Sequence, residues 1–261
     1  MRFSNNTKLL ISVSNNPTNF GVTIYNYLFE KLNMNCVYLP IKISNASQVV
    51  SSIRSLNIYG CSISSPLKHD MFLIADEVDA VATNLKNINT LKNDSGTLKG
   101  FNTDYYGFNK LITGKQLSNA LIYGYGSVAN TINFCLQEYG VKDIYIAGRN
   151  EERLEHFIKN KNLKKHKSNM NYDLLVNATP SGDKGDEVID LLKYSNYLID
   201  LNVKDENNYL IKSALSKNIP VNTGSEMSIY QLQKQFEIYF NQNLETELLN
   251  ESLNFYLDSY S

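Results

Sequence analysis

The chain has 261 residues, enough for one large or two modest domains, and 43% of them are hydrophobic, which argues against global disorder. Its 25 basic and 26 acidic residues leave a net charge of −1, so it lacks the basic excess typical of nucleic-acid-binding proteins. A small anionic ligand, which needs only a local site, remains compatible with this balance.

The cysteines and histidines indicate neither disulfides nor metal. Cys36, Cys61 and Cys135 are odd in number and far apart, so we expect buried, reduced thiols. The histidines lack zinc-ligand spacing, and we expect no metal site. The apolar run Leu9–Val13 is too short for a signal peptide or a membrane span. We therefore expect a cytoplasmic protein with no membrane partner.

Short apolar runs alternate with helical patterns through the first part of the chain, which predicts a mostly parallel sheet with helices on both faces. Asn93-Asp94-Ser95-Gly96 is a strong hairpin signal between the last two runs. Strands are predicted at Lys8–Val13, Cys36–Leu39, Ile58–Ile63, Asn87–Leu91 and Thr97–Phe101, and helices at Gly21–Leu32, Ala46–Leu56 and after Pro66.

A second unit begins near residue 105 with a predicted bridging helix, Tyr106–Ile112. A strand at Ala120–Tyr123 leads into a glycine-rich loop, a helix to about Tyr139 and a strand at Ile144–Ala147. This is a βαβ unit of the Rossmann type. The later predicted elements are strands Asp173–Ala178 and Tyr197–Leu201, a helix Leu210–Lys217, a short strand at Val221, and a helical pattern from Glu226 that breaks around Asn241–Asn243.

The loop of this unit predicts a dinucleotide site. Gly124 permits a tight turn, Gly126 lets a pyrophosphate approach the backbone, and Ala129 permits close packing of helix on strand. Ser127 and Val128 would be the first residues of the helix that follows. The diphosphate would lie at the N-terminus of this helix, because free N–H groups and the helix dipole favour anions there. A glycine turn without a ligand is the alternative.

The end of the next strand indicates which dinucleotide is bound. NAD enzymes usually carry an acidic residue there for the ribose 2′-hydroxyl, whereas this chain has Gly148-Arg149-Asn150. Arg149 suits a 2′-phosphate because its guanidinium forms paired, charge-assisted hydrogen bonds. We therefore favour NADP over NAD, although Glu151 and Glu152 lie nearby and an ordinary surface arginine is the alternative.

Five segments, spread over nearly the whole chain, resemble motifs of the shikimate dehydrogenase family in its order and spacing. They are GCSISSPLK at 60–68 (family G-x-N-V-T-x-P-x-K), INT at 88–90 (V-N-T), GFNTDYYG at 100–107 (G-x-N-T-D-x-x-G), NATPSG at 177–182 (N-A-T-x-x-G), and Gly224 with Met227 and Gln231 (G-x-x-M-x-x-x-Q). The resemblance implies an α/β fold with an N-terminal α/β substrate domain, residues 1–104 completed by C-terminal helices at 235–261. It also implies a Rossmann-type NADP-binding domain, residues 105–234, and a cleft between the two.

The resemblance further implies a catalytic pair, Lys68 and Asp104. Oxidising a secondary alcohol sends a hydride to the nicotinamide and a proton to a base. Lys68 can serve if burial tunes its pKa, and the charge of Asp104 should stabilise the protonated amine, so the two would share the proton. Which of them is the formal base stays open.

Matching positions also imply substrate and cofactor contacts. Asn89 and Gln231 would bind substrate hydroxyls, and Ser64 would stand in for the family's threonine. Thr179 would contact the cofactor, and Gly224 would lie near the nicotinamide.

The expected grip on a substrate carboxylate departs from the family. Asn19-Phe20-Gly21-Val22 stand where the family has S-x-S-P, so both serine hydroxyls are missing. Asn19 can still donate through its amide, and Thr18 and Thr23 are nearby hydroxyls. Val203 replaces a substrate-contacting tyrosine. The segment Pro17–Gly21 is similar to the shikimate dehydrogenase-like branch of the family. Losing such donors should change specificity more than chemistry.

The leading hypothesis is an NADP-dependent shikimate dehydrogenase, or a close paralogue, that reversibly reduces 3-dehydroshikimate to shikimate as a monomer or homodimer. A dehydrogenase for quinate or another cyclic hydroxy acid is the second hypothesis. A non-catalytic, NADP-binding regulatory protein is the third, and the Lys68 and Asp104 pair argues against it.

Overall fold

The computed structural model describes residues 4–159, 161–202 and 208–260. The chain divides into two compact units, the first formed by residues 1–103 with 231–261 and the second by residues 104–230. Each unit is built around its own six-stranded sheet.

The helices and strands follow in chain order. The strands are β1 (Lys8–Ser14), β2 (Cys36–Lys42), β3 (Gly60–Ile63), β4 (Glu77–Val78), β5 (Thr90–Asp94), β6 (Thr97–Phe101), β7 (Asn119–Tyr123), β8 (Asp143–Ala147), β9 (Lys164–Lys165), β10 (Leu174–Asn177), β11 (Leu198–Asp200) and β12 (Val221–Thr223). The helices are α1 (Phe20–Lys31), α2 (Ala46–Ser55), α3 (Lys68–Ile74), α4 (Ala80–Leu85), α5 (Thr103–Ile112), α6 (Ser127–Glu138), α7 (Glu151–Ile158), α8 (Glu187–Leu191), α9 (Tyr209–Ser216), α10 (Gly224–Phe240) and α11 (Thr246–Tyr260).

The first unit contains a mixed sheet in the order β2-β1-β3-β5-β6-β4. The predicted parallel pairing is confirmed for β1 with β2 and with β3, whereas β5 runs antiparallel to both of its neighbours. Buried side chains of the sheet pack with those of α2 and α3, including Val49, Ile53 and Met71. Burying a side chain of this size contributes about 1.5–3 kcal/mol, so this apolar layer stabilises the first unit.

The predicted hairpin is confirmed, with a shift in its first strand. Ser95 and Gly96 form a two-residue turn in which both have positive φ, 54° and 100°, as the right-handed twist of the flanking strands requires. The strand predicted at Asn87–Leu91 lies instead at Thr90–Asp94, since the Ile88 N–H donates to the Lys68 carbonyl and not to a strand. This displacement places Asn89 immediately before β5.

The second unit contains a fully parallel sheet in the order β12-β11-β10-β7-β8-β9. The chain runs outward from β7 in one direction and from β10 in the other, so the strand order reverses between these two neighbours. Doubly wound sheets bind ligands at the carboxyl ends of the strands at such a point. The predicted Rossmann-type unit is confirmed, and α6 packs its buried residues Ala129, Ile132 and Leu136 on this sheet.

The cysteines and the helices bear on two further predictions, reduced thiols and the lack of a membrane span. Cys36, Cys61 and Cys135 are free and buried, as predicted, and burial raises the pKa of each thiol. Within the ranges that the structure describes, no helix has the length and apolar character needed to cross a membrane.

Candidate active site

The loop between β7 and α6 has the backbone that the sequence predicts. Gly124 has φ +115°, and a Cβ there would lie 2.6 Å from Thr179 Cγ2 and 3.1 Å from the Ala178 carbonyl oxygen. Gly126 lies in extended conformation at the N-cap of α6, and a Cβ there would meet no atom within 4 Å. Gly124 is thus required by the fold itself, whereas Gly126 faces open space at a helix N-terminus, where an anion binds favourably.

An open cavity of about 1250 Å³ lies at the carboxyl ends of β7, β8 and β10. Four of the predicted cofactor residues line it: Gly124, Gly126, Arg149 and Thr179. The cavity coincides with the reversal of strand order, which is the expected place for a dinucleotide. An exposed helix N-terminus for a diphosphate and a guanidinium for a further phosphate therefore lie in one cavity, which fits the dinucleotide that the loop predicts.

The other predicted residues of the loop lie close by without lining the cavity. Ser127 is exposed and Val128 is half-buried in the first turn of α6. Ala129 is fully buried against the sheet, as its predicted packing role requires.

Helix α7, which was not predicted from the sequence, forms another wall of the cavity. Its N-cap is Asn150, whose side-chain oxygen accepts a hydrogen bond of 2.9 Å from the Arg153 N–H. Arg153 lines the cavity together with Arg149, which adds a second guanidinium to its wall. The signal was present in the sequence: an Asn cap, two acidic residues in the first turn, and apolar residues at 154, 157 and 158.

The two acidic residues beside Arg149 differ in their surroundings. Glu151 pairs with Lys165, and this hydrogen bond holds the pKa of the carboxyl below its usual range. Glu152 lines the cavity. Of the two carboxylates that would repel a phosphate near Arg149, the one on Glu151 is therefore paired with a lysine.

Tyr125 packs its ring on Gly148. A Cβ on Gly148 would lie 2.5 Å from Tyr125 Cε1, and both residues line the cavity. The glycine that begins the Gly148-Arg149-Asn150 stretch is therefore matched to the aromatic ring of the loop. This contact was not predicted from the sequence.

Thr179 belongs to a tightly bonded turn after β10. Its hydroxyl donates to Asn177 Oδ1 at 2.7 Å and accepts from the Ser181 N–H at 3.1 Å. Asn177 is fully buried and in turn donates to Asp200 Oδ1 at 2.8 Å. Thr179 therefore lines the cavity with its position fixed by Asn177.

In the first unit, the backbone brings together three of the predicted residues. The Ile63 N–H donates to the Asn89 carbonyl at 2.8 Å, which places Ser64 beside Asn89. The Ile88 N–H donates to the Lys68 carbonyl at 3.0 Å, which brings the first residue of α3 to the same place. Ser64 is exposed, Lys68 is half-buried and Asn89 is buried.

The Asn89 side chain is held by donors that turn its oxygen inward. Its Oδ1 accepts from the Thr103 N–H at 2.8 Å, from the Thr103 hydroxyl at 3.1 Å and from the Thr90 hydroxyl at 2.9 Å. A backbone N–H can only donate, so Oδ1 faces Thr103 and the NH₂ group forms the other branch of the amide. The arrangement presents Asn89 as a hydrogen-bond donor.

The remaining predicted residues lie on separate elements. Asn19 is exposed at the N-cap of α1, where its side chain makes no capping bond. Gln231 is half-buried on α10, and Gly224 is buried at the first position of that helix. Asp104 is only 5% exposed, in the first turn of α5. Val203 lies outside the described residues.

Metal chemistry finds no support in the part of the chain that the structure describes. No three His, Cys, Asp or Glu side chains among residues 4–159, 161–202 and 208–260 form a group that could hold a metal ion.

Several known proteins resemble the chain in sequence and in structure. Residues 18–91 match a family model described as shikimate dehydrogenase substrate binding domain. The chain is 29% identical to a shikimate dehydrogenase-like protein of Haemophilus influenzae, over 95% of this chain and 96% of that protein. It is 30% identical to a shikimate dehydrogenase (NADP(+)) of Dictyoglomus turgidum, over 83% of this chain and 86% of that protein. The solved structure of a shikimate 5-dehydrogenase-like protein superposes with a TM-score of 0.88 at 27% identity, covering 97% of this chain and 99% of the other.

Proposed function

The chain belongs to the shikimate dehydrogenase family, and from this we propose that it is an NADP-dependent oxidoreductase that reversibly reduces 3-dehydroshikimate to shikimate. The observation that carries the proposal is the cavity at the carboxyl ends of β7, β8 and β10. In it, Gly126 leaves open space at the N-terminus of α6, and Arg149 and Arg153 add cationic side chains.

NADP is proposed as the dinucleotide on the charges of this cavity. Arg149 and Arg153 would hold a 2′-phosphate through charge-assisted hydrogen bonds, and Glu151, which would repel it, is paired with Lys165. The relative from Dictyoglomus turgidum is also named for NADP(+). When bound, NADP supplies the nicotinamide that exchanges hydride with the substrate.

Lys68 and Asp104 are proposed to manage the proton of the reacting hydroxyl. Both stand at the matching positions of the family's motifs, and both bear groups that exchange a proton with an alcohol. We assign the proton transfer to the two together, as the family's pattern implies for these positions.

Substrate binding is proposed to rest on Asn89, Gln231, Ser64 and Asn19. Asn89 would donate to a substrate hydroxyl through its NH₂ group, because its oxygen already accepts three hydrogen bonds. Asn19 would meet the substrate carboxylate with an exposed amide in place of the family's two serine hydroxyls.

The altered carboxylate grip favours a second candidate, a dehydrogenase for quinate or another cyclic hydroxy acid. An amide at Asn19 offers a different number and direction of donors than two hydroxyls do. A site built to hydrogen-bond one group discriminates strongly against ligands that lack it. The two candidates share the cofactor and the proton-transfer pair, so they differ only in which acid turns over fastest.

The first experiment follows reduced-nicotinamide absorbance with purified protein, NADP and shikimate, and repeats it with quinate. Lys68→Ala should abolish turnover while NADP binding persists, and Lys42→Ala, at an exposed lysine at the end of β2, should behave like the wild type. Faster turnover of quinate would favour the second candidate. NADP binding without turnover of any cyclic hydroxy acid would overturn the enzymatic proposal and favour a nucleotide-binding regulator.

A further inference from the structure

A chain of buried hydrogen bonds links α10 to the Asn89 side chain inside the first unit. Gln235 Nε2 donates to the Thr90 hydroxyl oxygen at 2.9 Å, and the Thr90 hydroxyl donates to Asn89 Oδ1 at 2.9 Å. Gln235 and Asn89 are 5% and 4% exposed, and Thr90 is fully buried. These groups are shielded from solvent, so an unpaired member would be costly and each bond depends on its neighbours.

The donor and acceptor of every hydrogen bond between Gln235 and Asn89 follow from one backbone N–H group. The Thr103 N–H donates to Asn89 Oδ1 at 2.8 Å, so that oxygen can only be the acceptor side of the amide. The single proton of the Thr90 hydroxyl then points to Asn89, which leaves its lone pairs to accept a hydrogen bond. Gln235 must consequently present its NH₂ group to Thr90.

Two hydroxyls secure the opposite edge of Gln235. Ser62 Oγ donates to Gln235 Oε1 at 3.1 Å, and the Tyr25 hydroxyl lies 3.2 Å from the same oxygen. The Leu232 carbonyl, 3.3 Å from the Tyr25 hydroxyl, can only accept, so it competes with Gln235 Oε1 for the single Tyr25 proton. With the Ser62 hydroxyl as donor on one edge and the Thr90 oxygen as acceptor on the other, the Gln235 amide has one orientation.

We propose that Gln235 is a positioning residue that acts through Thr90 to hold Asn89 with its NH₂ group directed to the substrate. The proposal rests on the proposed function, in which Asn89 binds a substrate hydroxyl. It assigns a role in the substrate site to a helix residue 145 positions away from Thr90. It also defines the ligand class: the group that meets Asn89 must accept a hydrogen bond, as a hydroxyl or carbonyl oxygen does and an ammonium does not.

Two matched pairs of variants separate positioning from stability. Thr90→Val keeps the shape of the side chain and removes the hydroxyl, while Thr90→Ser keeps the hydroxyl. Gln235→Met removes both hydrogen-bonding groups at similar length. Gln233→Met is its control on α10, because Gln233 donates to the Leu244 carbonyl at 3.0 Å and takes no part in the chain.

The first readout is independent of activity. In ¹⁵N-labelled protein, the side-chain NH₂ signals of Asn89, identified with Asn89→Asp, should shift or broaden in Thr90→Val and Gln235→Met. They should stay at the wild-type position in Thr90→Ser and Gln233→Met. Unchanged Asn89 signals in Thr90→Val and Gln235→Met would overturn the proposal.

The second readout is kinetic. Thr90→Val and Gln235→Met should raise KM for shikimate about tenfold, equivalent to about 1.4 kcal/mol, with kcat within about twofold and KM for NADP unchanged. A Thr90→Ser variant as impaired as Thr90→Val would overturn the proposal, since only packing would then matter. If the wild type turns over no shikimate, the proposed function fails, and the NH₂ signals alone decide whether Gln235 positions Asn89.

Discussion

Two glycines in the loop between β7 and α6 should respond to alanine in opposite ways. Gly126 has φ −84° and ψ −172°, and its Cβ would meet nothing within 4 Å. The loss of glycine at an N-cap costs about 0.5–1 kcal/mol, and the lower entropy of the unfolded chain offsets about 0.4–1 kcal/mol of it. Gly126→Ala should therefore leave the free energy of unfolding within about 1 kcal/mol of the wild type.

Gly124→Ala should instead destabilise the protein. Its φ of +115° strains an alanine by about 1–3 kcal/mol, and a Cβ 2.6 Å from Thr179 Cγ2 adds about 1–3 kcal/mol of overpacking. The expected loss of about 2–6 kcal/mol is a large part of the 5–15 kcal/mol that typically holds a domain folded. Urea unfolding followed by circular dichroism measures both variants.

NADP binding supplies the decisive comparison. The Gly126→Ala methyl would stand where a diphosphate approaches the N–H groups of α6, and each charge-assisted hydrogen bond lost costs about 1.5–3 kcal/mol. Titration calorimetry should therefore show an NADP Kd raised at least about tenfold in a variant that unfolds like the wild type. A wild-type Kd in Gly126→Ala would refute the placement of the diphosphate at this helix.

Three further changes test the cavity and one surface carboxylate. Arg149→Ala should raise KM for NADP at least about tenfold and leave KM for NAD nearly unchanged, and equal effects on both would contradict a 2′-phosphate role. Gly148→Ala should cost about 1–3 kcal/mol of stability and weaken NADP binding, and Tyr125→Ala in the same chain should restore both; simple additivity in this double-mutant cycle would show that the two residues do not clash. The backbone hydrogen bond from Leu98 lowers the pKa of Asp76, so its contribution to stability is present at neutral pH and is lost as pH falls through the folded pKa. Asp76→Asn should therefore be less stable than the wild type at pH 7 and equal to it in acid, and a deficit independent of pH would point to lost packing.

Local signals explain which elements the sequence predicted well. The β7 to β8 unit was recognisable because a short apolar strand, a glycine pair and an amphipathic helix follow one another within a few residues. The hairpin turn was recognisable because Asn93-Asp94-Ser95-Gly96 is a run of turn-forming residues and Gly96 readily adopts the positive φ that the turn needs. In both cases the residues that define the structure are neighbours in the chain.

Elements were missed where the pattern was short. Helix α7 spans only Glu151–Ile158, and its apolar face is interrupted by charges that belong to the cavity side. Arg153 was overlooked with it, although the preference for NADP was predicted from Arg149, four residues before. A functional residue on a short surface helix carries a weak periodic signal, because few of its side chains are buried.

Contacts between distant residues lay beyond any reading of the sequence. Gln235 and Thr90, 145 positions apart in the sequence, are joined by one hydrogen bond. Tyr125 follows β7 and contacts Gly148, which follows β8. Such pairs follow from strand order and helix placement, which the periodicity of either segment alone does not encode. The roles of Gln235 and Tyr125 therefore appeared only once the fold was known.

The two units differ in how they can tolerate change. In the second unit, the groups offered to a diphosphate are backbone N–H groups, so a side chain such as that of Ser127 leaves those donors in place. In the first unit, the proposed substrate contacts are side chains, so Asn19 and Gly21, at the family's two serine positions, change the donors themselves. Substitution should therefore alter which acid is bound well before it alters whether the diphosphate is bound. We therefore expect a change of substrate preference to begin in the side chains that hold the carboxylate, while the backbone donors of the nucleotide loop are kept.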